Sequence, residues 1–286
     1  MTTTFSFLRR SSQICVIFIS IFFLTSCAKE DISEENPLTE IFIAHAGGKI
    51  DAYTYTNSLE ALNLSYSKGC KMFELDIIES SDGVFVAAHH WSSYKAVTGD
   101  TGILDETPLS EQEFMSRRIF GTYTPMNMTE INLWFDNHKD AILVTDKINA
   151  PKRFAEKFAF KDRLIMELFS WSAVREAIEV GVKAMPSDNL IFSTPDIEHV
   201  LDSLNIKYVA VSYRYLAGNE EFFKRIKNKG IKTYVFHVND DVGKDEKYFF
   251  ETKLHLITGM YADDLSILQY NKTASGYKSR SLYANK

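Results

Sequence analysis

From residue 40 onward the chain alternates between short apolar, β-rich runs and longer helical stretches. The runs occupy 41–45, 72–78, 141–146, 164–169, 182–185, 207–212, 232–238 and 255–262, with helical stretches such as 58–68, 151–159, 173–180, 196–204 and 220–229 between them. Parallel strands need a crossover of a dozen or more residues, and a helix is the usual one. Strand–helix alternation therefore predicts an α/β protein with a parallel sheet. Eight such strands predict a closed (β/α)8 barrel over residues 40–268, and Gly181 and Gly230 stand where helices should stop. One interval breaks the pattern. Residues 91–128, after the second strand, carry Gly99, Gly102, Gly121, Pro108 and Pro125, and Ser110-Glu111-Gln112-Glu113 has the form of a capping box that starts one short helix. An excursion this long between barrel elements is expected to overhang the mouth and shape the substrate site.

The ends do not belong to the barrel. Arg9-Arg10, the apolar run Ile14 to Leu24, and Leu24-Thr25-Ser26-Cys27 read as a secretory signal over 1–26 that ends in a bacterial lipobox, with Cys27 as the lipidation site. The apolar run is shorter than the roughly 20 residues needed to span a bilayer. The expected location is the bacterial cell envelope, lipid-anchored, at the outer membrane. Residues 27–39 are polar and acidic and read as a flexible tether; 269–286 read as a polar tail. Loss of the leader removes two arginines and leaves 30 basic against 38 acidic residues, a formal −8. An exported acidic protein is a poor nucleic-acid binder. With Cys15 gone and Cys27 lipidated, Cys70 has no partner, which excludes a disulfide framework and makes it a small buried residue. The barrel is expected to act as a monomer.

The chemistry concentrates on Met72-Phe73-Glu74-Leu75-Asp76. Residues i and i+2 of a strand share a face, so Glu74 and Asp76 point the same way. Two carboxylates this close repel, and both stay ionised only around a cation. Asp82-Gly83 is a hairpin signal; a two-residue loop pairs residue 81 with 84 and sets His89 opposite Asp76. Surface strands with alternating charge and DG turns are each common, so the rest of the chain decides the matter. Ile43-Ala44-His45-Ala46-Gly47-Gly48 is an apolar strand ending in His, Tyr55-Thr56-Asn57-Ser58 follows, and Asp146 ends the third strand in Val144-Thr145-Asp146-Lys147. Barrel sites lie at the carboxyl ends of strands, where Glu74, Asp76 and Asp146 would form a set of hard oxygen ligands suited to Ca²⁺ or Mg²⁺.

In order and spacing, over roughly residues 40–268, these motifs resemble the glycerophosphodiester phosphodiesterase family, which has a first-strand HRG, a PEN segment, an ExD, and a DG turn leading to HD. Val238-Asn239 and Tyr261-Ala262-Asp263 match its last two strand ends. The resemblance implies a phosphodiester hydrolase with His45 and His89 as the acid–base pair, acting on a small or lipid-derived phosphodiester. Phosphodiester cleavage needs one group to take a proton from the nucleophile and one to give a proton to the leaving alkoxide.

The chain also departs from that pattern. Ala46 stands for the arginine, Thr56 for the PEN glutamate, and His90 for the Asp of HD, while the segment from His45 to Asn57 is two residues longer. Asp51 in that segment is a candidate replacement carboxylate, and Lys183 and Arg214 are candidate replacements for the lost phosphate contact. Lys147 follows Asp146 directly, so strand alternation should turn it away unless the strand has ended. Glu167, ending the fourth strand, is read as a substrate contact or a buried ion pair, His90 as facing substrate or backing the site, and His237 as a hydrogen-bonded core residue. Trp91 and Trp171 are read as pocket-lining or core. A ligand set of Glu, Asp and Asp also resembles the sphingomyelinase D-type branch of the same superfamily. The alternatives are thus phospholipase- or lyase-type attack on phospholipid head groups, and a binding lipoprotein without activity.

Overall fold

The computed structural model describes residues 40–100 and 105–268, with Met1 and Thr2. The barrel lies within the unit Asn36–Lys286. The signal segment beyond Thr2, Cys27, the tether and the tail 269–286 lie outside the described residues. No helix of the described residues is long and apolar enough to cross a membrane.

Nine strands are described: β1 Phe42–Ala44, β2 Met72–Glu79, β3 Phe85–Ala87, β4 Ile142–Asp146, β5 Leu164–Leu168, β6 Lys183–Pro186, β7 Tyr208–Ser212, β8 Lys232–Phe236 and β9 Gly259–Ala262. Eight run parallel in the order β6-β5-β4-β2-β1-β9-β8-β7, and β3 pairs antiparallel with β2. β6 and β7 lie side by side without a shared ladder, so the (β/α)8 barrel is nearly closed. The helices are α1 Leu59–Lys68, α2 Trp91–Val97, α3 Glu111–Ser116, α4 Met128–Asn137, α5 Pro151–Lys157, α6 Trp171–Glu179, α7 Asp188–Ser193, α8 Ile197–Ser203, α9 Glu220–Asn228 and α10 Glu246–Thr252. Local chemistry sets several of their ends. The Ser58 side chain accepts from Ala61 N at the start of α1, and Gly69 ends that helix in the left-handed region. Ser110 and Glu113 form the capping box of α3.

Strand alternation sorts the interior into two layers. Phe42, Phe73, Leu75, Leu143, Met166, Val211 and Val235 belong to the core that the helices cover. The other set, Ile43, Met72, Val144, Ile165, Met185, Ala210, Tyr234 and Tyr261, forms a separate apolar cluster that fills the barrel. Cys70 is buried; its thiol donates to the Phe42 and Met72 carbonyls, and burial pushes it up to about 11.

Two sequence expectations need correction. Ser80 N donates to Val84 O, Gly83 N donates to Ser80 O, and Gly83 has φ +82°. The turn is therefore a three-residue loop with a left-handed glycine, not a two-residue one. It pairs Ile77 with Ala87 and Glu79 with Phe85, so Ala88, not His89, is bonded to Asp76 (Ala88 N to Asp76 O, 2.9 Å). The described residues of the excursion after β3 form two helices, α2 and α3, rather than one. They carry a small core of their own in which Trp91, Tyr94, Phe114, Ile119 and Tyr123 pack with Val86 and Ala88 of the hairpin. Trp91 is a core residue there, and Trp171 packs against the barrel core while its Nε1 donates to Thr194 Oγ1.

Candidate active site

Two residues past the apolar filling, the inward positions turn polar. Ile43 gives way to His45, Met72 to Glu74 and then Asp76, Val144 to Asp146, Ile165 to Glu167, and Tyr261 to Asp263. Register places Asp76 beside Asp146 across β2 and β4. One carboxylate oxygen each of Glu74, Asp76 and Asp146 lies within 4.8 Å of the other two. Glu74 and Asp76 are each only 1% exposed. Glu74 Oε2 accepts from Ala46 N at 2.7 Å, in a backbone turn where Ala46 itself has φ +46°. Asn57 grips Asp76 twice: its Nδ2 donates to Oδ2 at 2.9 Å, and its Oδ1 accepts from Asp76 N at 3.0 Å. Burial raises the Glu74 carboxyl well above the ordinary range, and the charges of Asp76 and Asp146 raise it further. Burial and Asp146 raise Asp76, against the opposing pull of His89 and the Asn57 hydrogen bond.

Two imidazoles face this cluster across one ring. His45 Nδ1 is hydrogen-bonded to Asp263 Oδ1 at 3.0 Å. Burial lowers its pKa, but Asp263, Asp76 and Asp146 together leave it raised. Tyr55 stands edge-on to both histidines, its ring centroid 4.4 Å from His45 and 5.5 Å from His89. His89 is half-buried and lowered in pKa, chiefly by burial, with Lys147 and His90 adding to the effect and Asp76 opposing it. β3 ends at Ala87, so His89 reaches the cleft by the turn of the chain rather than by ladder register. His90 is exposed, at the N-terminal end of α2, and does not line the cleft.

The donor set fits a hard divalent cation. Three carboxylates converge with no sulfur near them, and Glu74 Oε1 is buried with no hydrogen-bond partner. A buried oxygen without a donor is destabilising, and a cation held by Glu74, Asp76 and Asp146 would supply what it lacks.

The weaker candidates divide. Lys147 lines the cleft: the strand ends at Asp146, Lys147 takes φ +67°, and its Nζ turns back to 3.5 Å from Asp146 Oδ2. Glu167 is also in the cleft, but neither as an ion pair nor free. It accepts from the Ser187 and Tyr261 hydroxyls at 2.6 and 2.7 Å, and burial with the Asp146 charge lifts it to about 8. Of the other three, Asp51 and Lys183 are corrected. Asp51 is exposed and accepts from the Tyr123 hydroxyl, outside the carboxylate cluster. Lys183 opens β6, so its side chain sits at the opposite end of the barrel, donating to the Asp162 carbonyl. Arg214 sits on the rim, paired with Asp240 at 3.0 Å. His237 is an exposed residue lining the cleft and bonded to Ser212 Oγ at 2.9 Å, not a core residue. Sequence reasoning passed over Asn57, Tyr55 and Asp263 as members of the site. Asn57 stood in the quoted segment and Asp263 in the last strand-end motif; the signal for Asp263 was its place at the carboxyl end of an inward-facing strand. The cleft lined by His45, Tyr55, Glu74, Asp76, His89 and Asp146 measures ≈ 560 Å³.

No protein-family model and no curated protein matches the chain. Solved structures do. A glycerophosphodiester phosphodiesterase from Parabacteroides distasonis is similar with TM-score 0.62 and 16% identity, covering 83% of this chain and 98% of its own. One from Thermotoga maritima gives TM-score 0.63 at 20% identity, over 80% of this chain and 97% of its own. An Oleispira antarctica phosphodiesterase, solved in complex with the product sn-glycerol-3-phosphate, gives 0.62 at 17%, over 82% and 96%. The likeness runs through the whole barrel, and the chain has the (β/α)8 fold that these phosphodiesterases share.

Proposed function

We propose that this chain is a metal-dependent phosphodiester hydrolase acting on glycerophosphodiesters, with Ca²⁺ or Mg²⁺ on Glu74, Asp76 and Asp146. One observation carries the reading. His45 and His89 stand on either side of Tyr55 at the mouth of a cleft in which three carboxylates converge, one with an unpartnered buried oxygen. A binding site has no need of an acid–base pair, so the arrangement favours catalysis over ligand capture. The product complex of the Oleispira enzyme, on the same fold, supports the substrate class.

Each residue has a task in this reading. Glu74, Asp76 and Asp146 would hold a divalent cation, which when bound would neutralise charge on the non-bridging oxygens of the diester. His89, kept neutral, takes a proton from the water whose oxygen attacks phosphorus. His45, kept protonated by Asp263, gives a proton to the departing alkoxide as the P–O bond breaks, leaving a phosphomonoester and an alcohol. Asn57 orients Asp76, and the Lys147 ammonium supplies a positive charge near phosphate in place of the arginine absent at Ala46. The reduced ligand set also supports a second reading, attack by a neighbouring hydroxyl on a phospholipid head group, which leaves a cyclic phosphate. Turnover of a panel of glycerophosphodiesters and phospholipids, with and without chelator and with the phosphate product identified, separates the two. No chelator-sensitive cleavage of any diester, to a phosphomonoester or to a cyclic phosphate, would refute both.

The same reading places the enzyme at the envelope through lipidated Cys27. The acidic tether gives no second attraction to anionic lipid, so Cys27→Ala is expected to release a soluble protein. Membrane retention of that variant after signal cleavage would count against the anchor.

A further inference from the structure

Beside the cleft lies a second pocket, ≈ 320 Å³, that the reaction just described does not use. It shares Tyr55 and His89 with the cleft, and its other walls include Tyr94 and Val97 of α2 and Ile119 and Phe120 of the excursion. Its lining holds no Asp, Glu, Lys or Arg. Three of its hydroxyls are already spent: Tyr94 donates to Phe114 O at 2.6 Å, Ser93 to His90 O at 3.0 Å, and Thr56 pairs with Ser58 at 2.9 Å. With the Thr54 and Tyr55 hydroxyls and the His89 imidazole as its remaining polar groups, the pocket presents mainly ring faces and methyl groups. Its lip is aromatic: Tyr53 stacks on Phe120 at 3.8 Å, and Tyr53, Tyr55 and Phe120 are 39, 47 and 36% exposed. Contiguous exposed apolar surface rimming a functional cleft marks a binding surface. The small core beneath holds these walls in place.

We infer that one ester arm of the substrate is an uncharged alkyl group, bound in this pocket while the phosphate sits in the cleft. This rests on the phosphodiesterase reading and narrows it. A phosphate held at the carboxylate cluster within reach of His89 has the pocket as immediate neighbour. An ammonium or carboxylate arm placed there would lose its hydration and find no charged partner, whereas each buried methylene favours binding by about fourfold.

The test compares glycerophosphodiesters whose second arm is methyl, butyl, hexyl, ethanolamine, choline or 3,3-dimethylbutyl, the last being the neutral isostere of choline. With Mg²⁺ present, kcat/KM should rise at least about tenfold from methyl to hexyl. The 3,3-dimethylbutyl arm should match or exceed choline, and ethanolamine should be poorest. Val97→Phe, which fills the pocket, and Phe120→Ser, at the lip, should each bring the hexyl-to-methyl ratio towards one. The ratio is internal to each variant, so loss of folded protein does not mimic the effect. A flat chain-length series overturns the inference. So does a choline arm clearly favoured over its isostere, which would make the rings a cation cage. Calorimetric binding of hexyl phosphate and methyl phosphate keeps the two readings apart. If no diester is hydrolysed yet hexyl phosphate binds at least about tenfold tighter, the pocket stands and the hydrolase reading fails. Equal binding overturns the pocket.

Discussion

The filling of the barrel and its mouth are built by the same strands, two residues apart, and they are opposites. Ile43, Val144, Ile165 and Tyr261 pack in an apolar cluster. His45, Asp146, Glu167 and Asp263 follow them on the same faces. Below, burial of apolar surface favours the fold. Above, like charges are buried together, one carboxylate oxygen has no partner, and non-glycine residues adopt left-handed backbone at Ala46, Tyr55, Asn57, Lys147 and His237. Such strained positions persist only where the surroundings over-determine them, and they gather at functional sites. The contrast teaches that the strands anchor a mouth that would not be stable alone.

Substitutions in the two layers should therefore fail in different ways. The largest effect is expected at the mouth. Glu74→Gln or Asp76→Asn should lower diester turnover on the order of a thousandfold while leaving the fold intact, as circular dichroism would show; unchanged turnover would refute their cation role. Next, His89→Ala should lower turnover about a hundredfold or more, and His90→Ala far less. The off-by-one hairpin does not reverse that order, because His89 still lines the cleft and His90 is exposed; a larger loss at His90 would. Asp263→Asn should pull the His45 pKa down and shift the alkaline limb of the rate profile to lower pH, because the Asp263 hydrogen bond and charge raise that pKa against burial. The smallest effect on catalysis is expected in the filling: Ile165→Ala should cost about 2–5 kcal/mol of stability yet leave the kcat of the folded fraction nearly unchanged. A catalytic defect there without loss of stability would erase the contrast between layers.

Much of this was legible in the residues. Strand runs fall within a few residues of β1, β2 and β4 to β9, because a parallel sheet covered on both faces reads as apolar runs. Glu74, Asp76 and Asp146 were legible because period-2 alternation is local. The hairpin register was not, since Asp82-Gly83 suits both a two-residue loop and the three-residue loop that Gly83 adopts. α2 went unread because its Trp-Ser-Ser-Tyr start has weak helix propensity and is held by packing on Phe114 and Ile119. Lys183 was mistaken for a mouth residue although it opens its strand. The His45–Asp263 pair spans 218 residues, and closure of the barrel creates it; no spacing along the chain encodes it. Tyr55 sits in a loop without period, brought over the cleft by a φ of +57°.

The central claim is that the mouth is destabilised by charge that a cation offsets, and thermal unfolding across pH tests it most directly. Glu74, Asp76 and Glu167 have folded-state pKa values above their unfolded ones, with Glu167 at about 8. The folded protein thus binds more protons than the unfolded chain between the ordinary carboxylate range and those values. Stability from this source is present at low pH and lost as pH rises through the raised values. Metal-free wild type is predicted to lose Tm from about pH 5 to pH 8, and millimolar Mg²⁺ or Ca²⁺ should restore it most at pH 8. Glu74→Gln should be more stable than wild type without cation at pH 8 and nearly blind to its addition. A wild type whose Tm ignores both cations at every pH, beside a Glu74→Gln variant no more stable than it, would contradict the account.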